Sequence, residues 1–144
     1  MSVIAWDGDI LAADRRFLFC GTLIRTGPKI SRYNNCLVGY SGSIDAAECL
    51  LHWFRNGREP EKFPEIQKDD QNAQLLVITP SKAIMLFERT PHPTILDNQH
   101  FAIGRGQDFA MAAMYLGKTA EEAVAVACQL DSTCGNGIDV LRLR

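Results

Sequence analysis

The sequence lacks any apolar run near the roughly 20 residues that a helix needs to cross a bilayer, so no helical membrane span is expected. No basic and apolar leader opens the chain, which makes the cytoplasm the expected compartment. Charge of one sign is also missing. Fifteen Lys and Arg face 17 Asp and Glu, and a net charge of −2 offers no footprint for nucleic acid or an anionic membrane surface. Histidines are few, and His52, His92 and His100 share no metal-ligand spacing. The five cysteines, Cys20, Cys36, Cys49, Cys128 and Cys134, include no C-x-x-C pair. An odd, scattered set argues for reduced thiols and against a disulfide framework or a structural zinc. Gly104-Arg105-Gly106 is too short for a nucleotide fingerprint and lacks the third glycine and acidic partner. No metal and no cofactor are therefore expected.

What is present fits one domain over residues 1–144, with 47% hydrophobic residues and room for a sizeable core. Asp7-Gly8 lies between two apolar runs, the signature of a hairpin that lays Asp14 close to the chain start. Short strands are expected at 3–6, 9–13, 22–25, 29–33 and 36–40, with a turn at Asn34-Asn35. A helix opens near Ser43 with Ile44, Ala47, Leu51 and Phe54 inward, and Gly57 stops it. Residues 58–72, interrupted by Pro60 and Pro64, read as loop. A hairpin follows at 74–79 and 83–88, then a connection at 90–98 and a strand at 100–103. One helix is expected to bury Phe109, Ala112, Ala113 and Leu116. A capping box at Thr119-Ala120-Glu121-Glu122 opens another, with Ala123, Val126, Ala127 and Leu130 inward. A final strand covers 138–143. This order suits a layered α+β domain, two antiparallel sheets face to face with helices outside.

The candidate chemistry starts at the second residue. Removal of Met1 would leave Ser2 with a free α-amine and a hydroxyl, a nucleophile and its own general base. An α-amine titrates near ~7.7–8.0, which suits a base at neutral pH. Gly42 stands where a strand meets a helix start, where backbone N–H groups lack intrahelical partners and can face an oxyanion.

Residues 2–6, 11–16, 28–32, 38–47 and 101–113, supported by 130–143, together resemble the proteasome β-subunit superfamily of N-terminal nucleophile hydrolases. They are most similar to the short bacterial and phage proteins related to the HslV peptidase. The resemblance spans nearly the whole chain and implies a four-layer αββα sandwich of two antiparallel sheets. A second long helix of the fuller subunits would fall at 58–72, so the helix layer looks trimmed.

The resemblance also implies site residues. Asp14 and Lys29 match the carboxylate and lysine beside the nucleophile, and the Gly42 N–H matches the oxyanion donor. Asp131 matches an aspartate that supports the nucleophile, and Cys134 stands where a serine is usual. Arg105 replaces the serine of a Gly-Ser-Gly segment beside the nucleophile's amine. It has several readings: a pair with Asp131 or Asp108, a grip on a substrate carboxylate, or a plug in the pocket. Ser2 itself replaces the usual threonine and lacks the γ-methyl that restricts the rotamer.

Two functions follow as expectations. One is a peptidase acting on peptides or polypeptides, assembled as a homo-oligomeric ring and fed by an ATP-dependent unfoldase; small amides are a further substrate class. The alternative is a catalytically inactive relative, a structural or binding oligomer. If Met1 stays, the Ser2 nitrogen is an amide and cannot act as base.

Overall fold

The computed structural model describes residues 2–19, 22–65 and 72–144. Cys20 lies outside these residues, as does much of the segment read as loop at 58–72. The elements in chain order are β1 (Ile4–Trp6), β2 (Ile10–Asp14), β3 (Arg16–Phe19), β4 (Thr22–Thr26), β5 (Ile30–Tyr33), β6 (Cys36–Gly42) and α1 (Ile44–Arg55). A 3-10 turn at Pro60–Lys62 precedes β7 (Ala73–Ile78), β8 (Ile84–Phe87), β9 (Thr94–Leu96) and β10 (Phe101–Ile103). The chain ends with α2 (Gln107–Tyr115), α3 (Ala120–Leu130) and β11 (Ile138–Arg142).

Two antiparallel sheets form the centre. One has the order β10-β1-β2-β11, the other β5-β6-β7-β8-β9, and β3 and β4 form a separate ribbon. Side chains alternate across a strand, and the three apolar layers follow that alternation. Val3, Ala5, Ile10 and Ala12 face α2 and α3. Ile4, Trp6, Leu11 and Ala13 face the second sheet, where they meet Leu37, Leu76, Ile78 and Ile84. Leu75, Val77, Val38 and Phe87 face the other way, onto Leu50, Trp53 and Phe54 of α1. The order is helices, sheet, sheet, helix: the αββα sandwich, with α1 alone as the described α-helix on the second sheet.

Several expectations need correction. The connection at 90–98 contains the edge strand β9, and β3 is a strand where none was expected. α2 buries Ala110, Ala113 and Met114, while Leu116 is 79% exposed and Phe109 38% exposed. α3 buries Ala120, Ala123, Val124 and Ala127, and Leu130 is exposed. Both helices dock through alanines. Small side chains let backbones approach, and the larger apolar residues then fall outside the contact. Among the described residues no helix is long and apolar enough to cross a membrane.

Candidate active site

The Asp7-Gly8 turn sets the start of the site. The Asp7 carboxylate accepts from the backbone N–H groups of Asp9, Ile10 and Ala120, and Gly8 takes φ +97°. The hairpin that results pairs Ile4 with Ala13. Asp14 then lies beside Val3, whose N–H donates to Asp14 Oδ1 at 3.1 Å. Lys29 Nζ donates to the same oxygen at 2.8 Å. Oδ2 accepts from Gly135 N at 3.1 Å and Arg16 N at 3.3 Å. The carboxylate is fully buried and Lys29 is 2% exposed, so this is a buried ion pair and not a surface one. Burial pushes the Lys29 pKa below the ordinary lysine value, while the charge of Asp14 and its hydrogen bond oppose that fall.

Ser2 is buried, and its Oγ lies 2.6 Å from Ser41 Oγ on β6. Ser2, Lys29, Ser41 and Gly42 share one narrow cleft, walled also by Phe17 and Tyr40. The Tyr40 hydroxyl donates to Glu48 Oε1 at 3.2 Å. Burial, reinforced by that carboxylate, pushes the Tyr40 phenol up to about 12.

Gly42 has φ +106°, and a Cβ there would lie 2.1 Å from the Asn72 carbonyl oxygen, so no other residue fits. Gly104 is equally constrained. With φ +96°, its added Cβ would lie 2.3 Å from the Ser2 carbonyl oxygen and 3.0 Å from Ser2 Oγ. Gly106 N donates to that same carbonyl at 3.0 Å. The Gly104-Arg105-Gly106 segment is therefore pressed against the backbone of Ser2.

Arg105 does not line the cleft. Its side chain is 65% exposed, and its Nε lies 3.5 Å from Asp131 Oδ2. Of the readings open for Arg105, the geometry matches the pair with Asp131. Asp131 Oδ1 accepts from Thr133 N at 2.8 Å and Thr133 Oγ1 at 2.7 Å. Burial alone would raise the Asp131 pKa, but the two Thr133 bonds and the Arg105 charge outweigh it and hold the carboxyl below its ordinary value. Cys134 is 1% exposed. Its Sγ lies against Gly106, and burial, with Asp14 and Asp131 adding to it, pushes its thiol up to about 11.

The structure thus brings Ser2, Lys29 and Gly42 to one cleft, with Asp14 directly behind them. Cys134 lies against Gly106 and Asp131 pairs with Arg105, and none of these three lines the cleft. Two participants were not anticipated from the sequence: Ser41, against the Ser2 hydroxyl, and Thr133, which donates twice to Asp131 Oδ1. No group of His, Cys, Asp and Glu among the described residues has the arrangement to hold a metal ion.

No family model and no curated protein matches this sequence. Solved structures do match. HslV from Trypanosoma brucei superposes with TM-score 0.74 at 21% identity, over 97% of each chain. BPH from Thiobacillus denitrificans, solved in complex with epoxomicin, gives TM-score 0.69 at 17% identity over 100% of both chains. A second structure of that BPH gives TM-score 0.68 at 18% identity, over 99% of this chain and 98% of the other. The fold of this chain is the fold that HslV and BPH share, the αββα sandwich expected from the sequence.

Proposed function

We propose that this chain is an N-terminal nucleophile peptidase whose nucleophile is Ser2, freed by removal of Met1. The observation that carries the reading is the buried Ser2 hydroxyl in a cleft shared with the Lys29 ammonium, which Asp14 holds in place. Ser2 Oγ attacks the peptide carbonyl carbon, and its proton passes to the α-amine. The Gly42 N–H and the nearby positive charge of Lys29 stabilise the oxyanion. The C–N bond then breaks, the leaving amine takes the proton, and an ester to Ser2 remains. Water, with the α-amine again as base, hydrolyses that ester. Asp131 and Cys134 back the Ser2 strand through the glycine segment. Peptides or polypeptides are the substrate class, and a homo-oligomeric ring, with an unfoldase as feeder, is the proposed assembly.

The test begins with the intact mass and N-terminal sequence of untagged protein. A free Ser2, hydrolysis of fluorogenic peptides, and loss of that hydrolysis in Ser2→Ala are expected. Epoxomicin, which BPH binds, is the matching probe, and it should block wild type. A protein with free Ser2 that cleaves no peptide, or a Ser2→Ala variant as active as wild type, would overturn the reading. A second reading, the inactive oligomer, draws on Arg105. Its guanidinium engages Asp131, the carboxylate that the resemblance gives a supporting role. On that reading Arg105→Ser restores peptide cleavage to an inert wild type.

A further inference from the structure

Ser2 meets Ser41 because two strands from different sheets run past each other in step. Ile4 and Trp6 of β1 face the second sheet, and Leu37 of β6 faces back. Steps of two along each strand place Ser2 with Ile4 and Trp6, and Gly39 and Ser41 with Leu37. Gly39 brings the sheets close at this end. A Cβ there would lie 3.0 Å from Ile4 Cγ2 and 3.0 Å from Ile30 Cγ2, tighter than ordinary contact. One step further along both strands, the hydroxyls of Ser2 and Ser41 lie 2.6 Å apart, both buried.

We infer that Ser41 is a positioning residue for the nucleophile: its hydroxyl donates to Ser2 Oγ and selects the rotamer that aims this oxygen into the cleft. A threonine nucleophile has a γ-methyl that restricts χ1; serine has three staggered wells open to it. The Ser41 hydrogen bond supplies the missing restriction. With Ser41 as donor, the Ser2 proton is left for the α-amine. The catalytic consequence rests on the peptidase reading above, but the rotamer consequence does not.

The test pairs crystallography with kinetics on four proteins: wild type, Ser41→Ala, Ser2→Thr and the double variant. Wild type should show one Ser2 Oγ position, and Ser41→Ala a shifted or divided one. With a peptide substrate, Ser41→Ala should lose about three- to tenfold in kcat with KM unchanged, the scale of diluting one rotamer among three and losing one hydrogen bond. In the Ser2→Thr background the same change should cost less than about twofold, because the γ-methyl takes over the restriction. Ser2→Thr alone should gain little, since Ser41 already orients the hydroxyl. Ser41→Cys, close in shape but a weak donor, is the second variant should the alanine protein not fold, and should follow Ser41→Ala. A single unchanged Oγ position in Ser41→Ala and Ser41→Cys, which keep Ser2, overturns the inference whatever the activity. An equal kcat loss in the wild-type and Ser2→Thr backgrounds overturns it too. Absence of peptide cleavage in all the proteins would strike at the peptidase reading, and the Oγ positions would still decide the role of Ser41.

Discussion

At the scale of the residue, the Asp14–Lys29 pair is asymmetric. Asp14 accepts from three backbone N–H groups besides the Lys29 ammonium, so its carboxylate keeps three donors when Lys29 is changed. Lys29, pressed by burial toward losing its proton, relies on Asp14 as the carboxylate that opposes this. Removing one partner of a buried pair costs about 3–5 kcal/mol when the other charge is left uncompensated. Asp14→Asn weakens the acceptor of three backbone N–H groups as well as the ion pair and should destabilise by about 3–5 kcal/mol, and Lys29→Met by clearly less, read as unfolding free energies in urea. Equal costs would show that the backbone donors do not hold Asp14. The order of motifs made both residues legible in the sequence. Ser41 was not, because a serine inside a strand carries no signal until the facing sheet is known. Period-two counting from Leu37 was the available clue: it puts Ser41 on the inter-sheet face of β6, but not opposite Ser2.

At the scale of the element, local chemistry that the sequence spells out is what the structure keeps. The Thr119 capping box forms as expected, with Thr119 Oγ1 accepting from Glu122 N at 3.2 Å and Glu122 Oε1 accepting from Thr119 N at 3.1 Å. Thr119→Ala should cost about 1 kcal/mol of stability, seen as a lower urea midpoint with an unchanged slope; no change would mean that tertiary packing alone fixes the start of α3. The inward faces of α2 and α3 are legible in part: Ala113, Ala123 and Ala127 are buried as expected, but apolar size misplaces Phe109, Leu116 and Leu130, because the contact is made by small side chains. At the far end of α3, Asp131 gives a pH signature. Its folded pKa is below the ordinary carboxylate value of 3.8. Its contribution to stability is therefore present above the unfolded pKa and is lost as pH falls through the folded one. The stability advantage of wild type over Asp131→Asn should hold above about pH 5 and shrink steadily as pH falls below that, through the unfolded value and on through the lower folded one. An advantage that stays constant over that range would mean that the charge of Asp131 does not contribute.

At the scale of the whole molecule, the site is a property of how two sheets meet. Ser2 and Asp14 belong to the β1–β2 side. Ser41 lies on β6, and Lys29 is tied to it where Tyr40 N donates to the Lys29 carbonyl. The Ser2–Ser41 contact and the Asp14–Lys29 pair both cross from one sheet to the other, so their geometry depends on the apolar layer between the sheets. The resemblance made the sandwich legible; the inter-sheet register was not, because it follows from which small residues, Gly39 among them, let the layers close. Leu37 and Leu50 separate stability from site geometry. Both are fully buried, Leu37 between the sheets and Leu50 between α1 and the second sheet. Leu→Ala at either should cost about 2–5 kcal/mol. A cavity at Leu37 opens in the layer that sets the distance from Ser41 to Ser2, on the same strand and face as Ser41. A cavity at Leu50 lies behind the second sheet. On the proposed peptidase reading, and well below both melting temperatures, Leu37→Ala should therefore lose about tenfold or more in kcat for peptide cleavage, the penalty that a misplaced reacting group incurs, while Leu50→Ala stays within about twofold of wild type. Equal losses at equal destabilisation would mean that the site follows overall stability and that the inter-sheet layer has no special part in holding it.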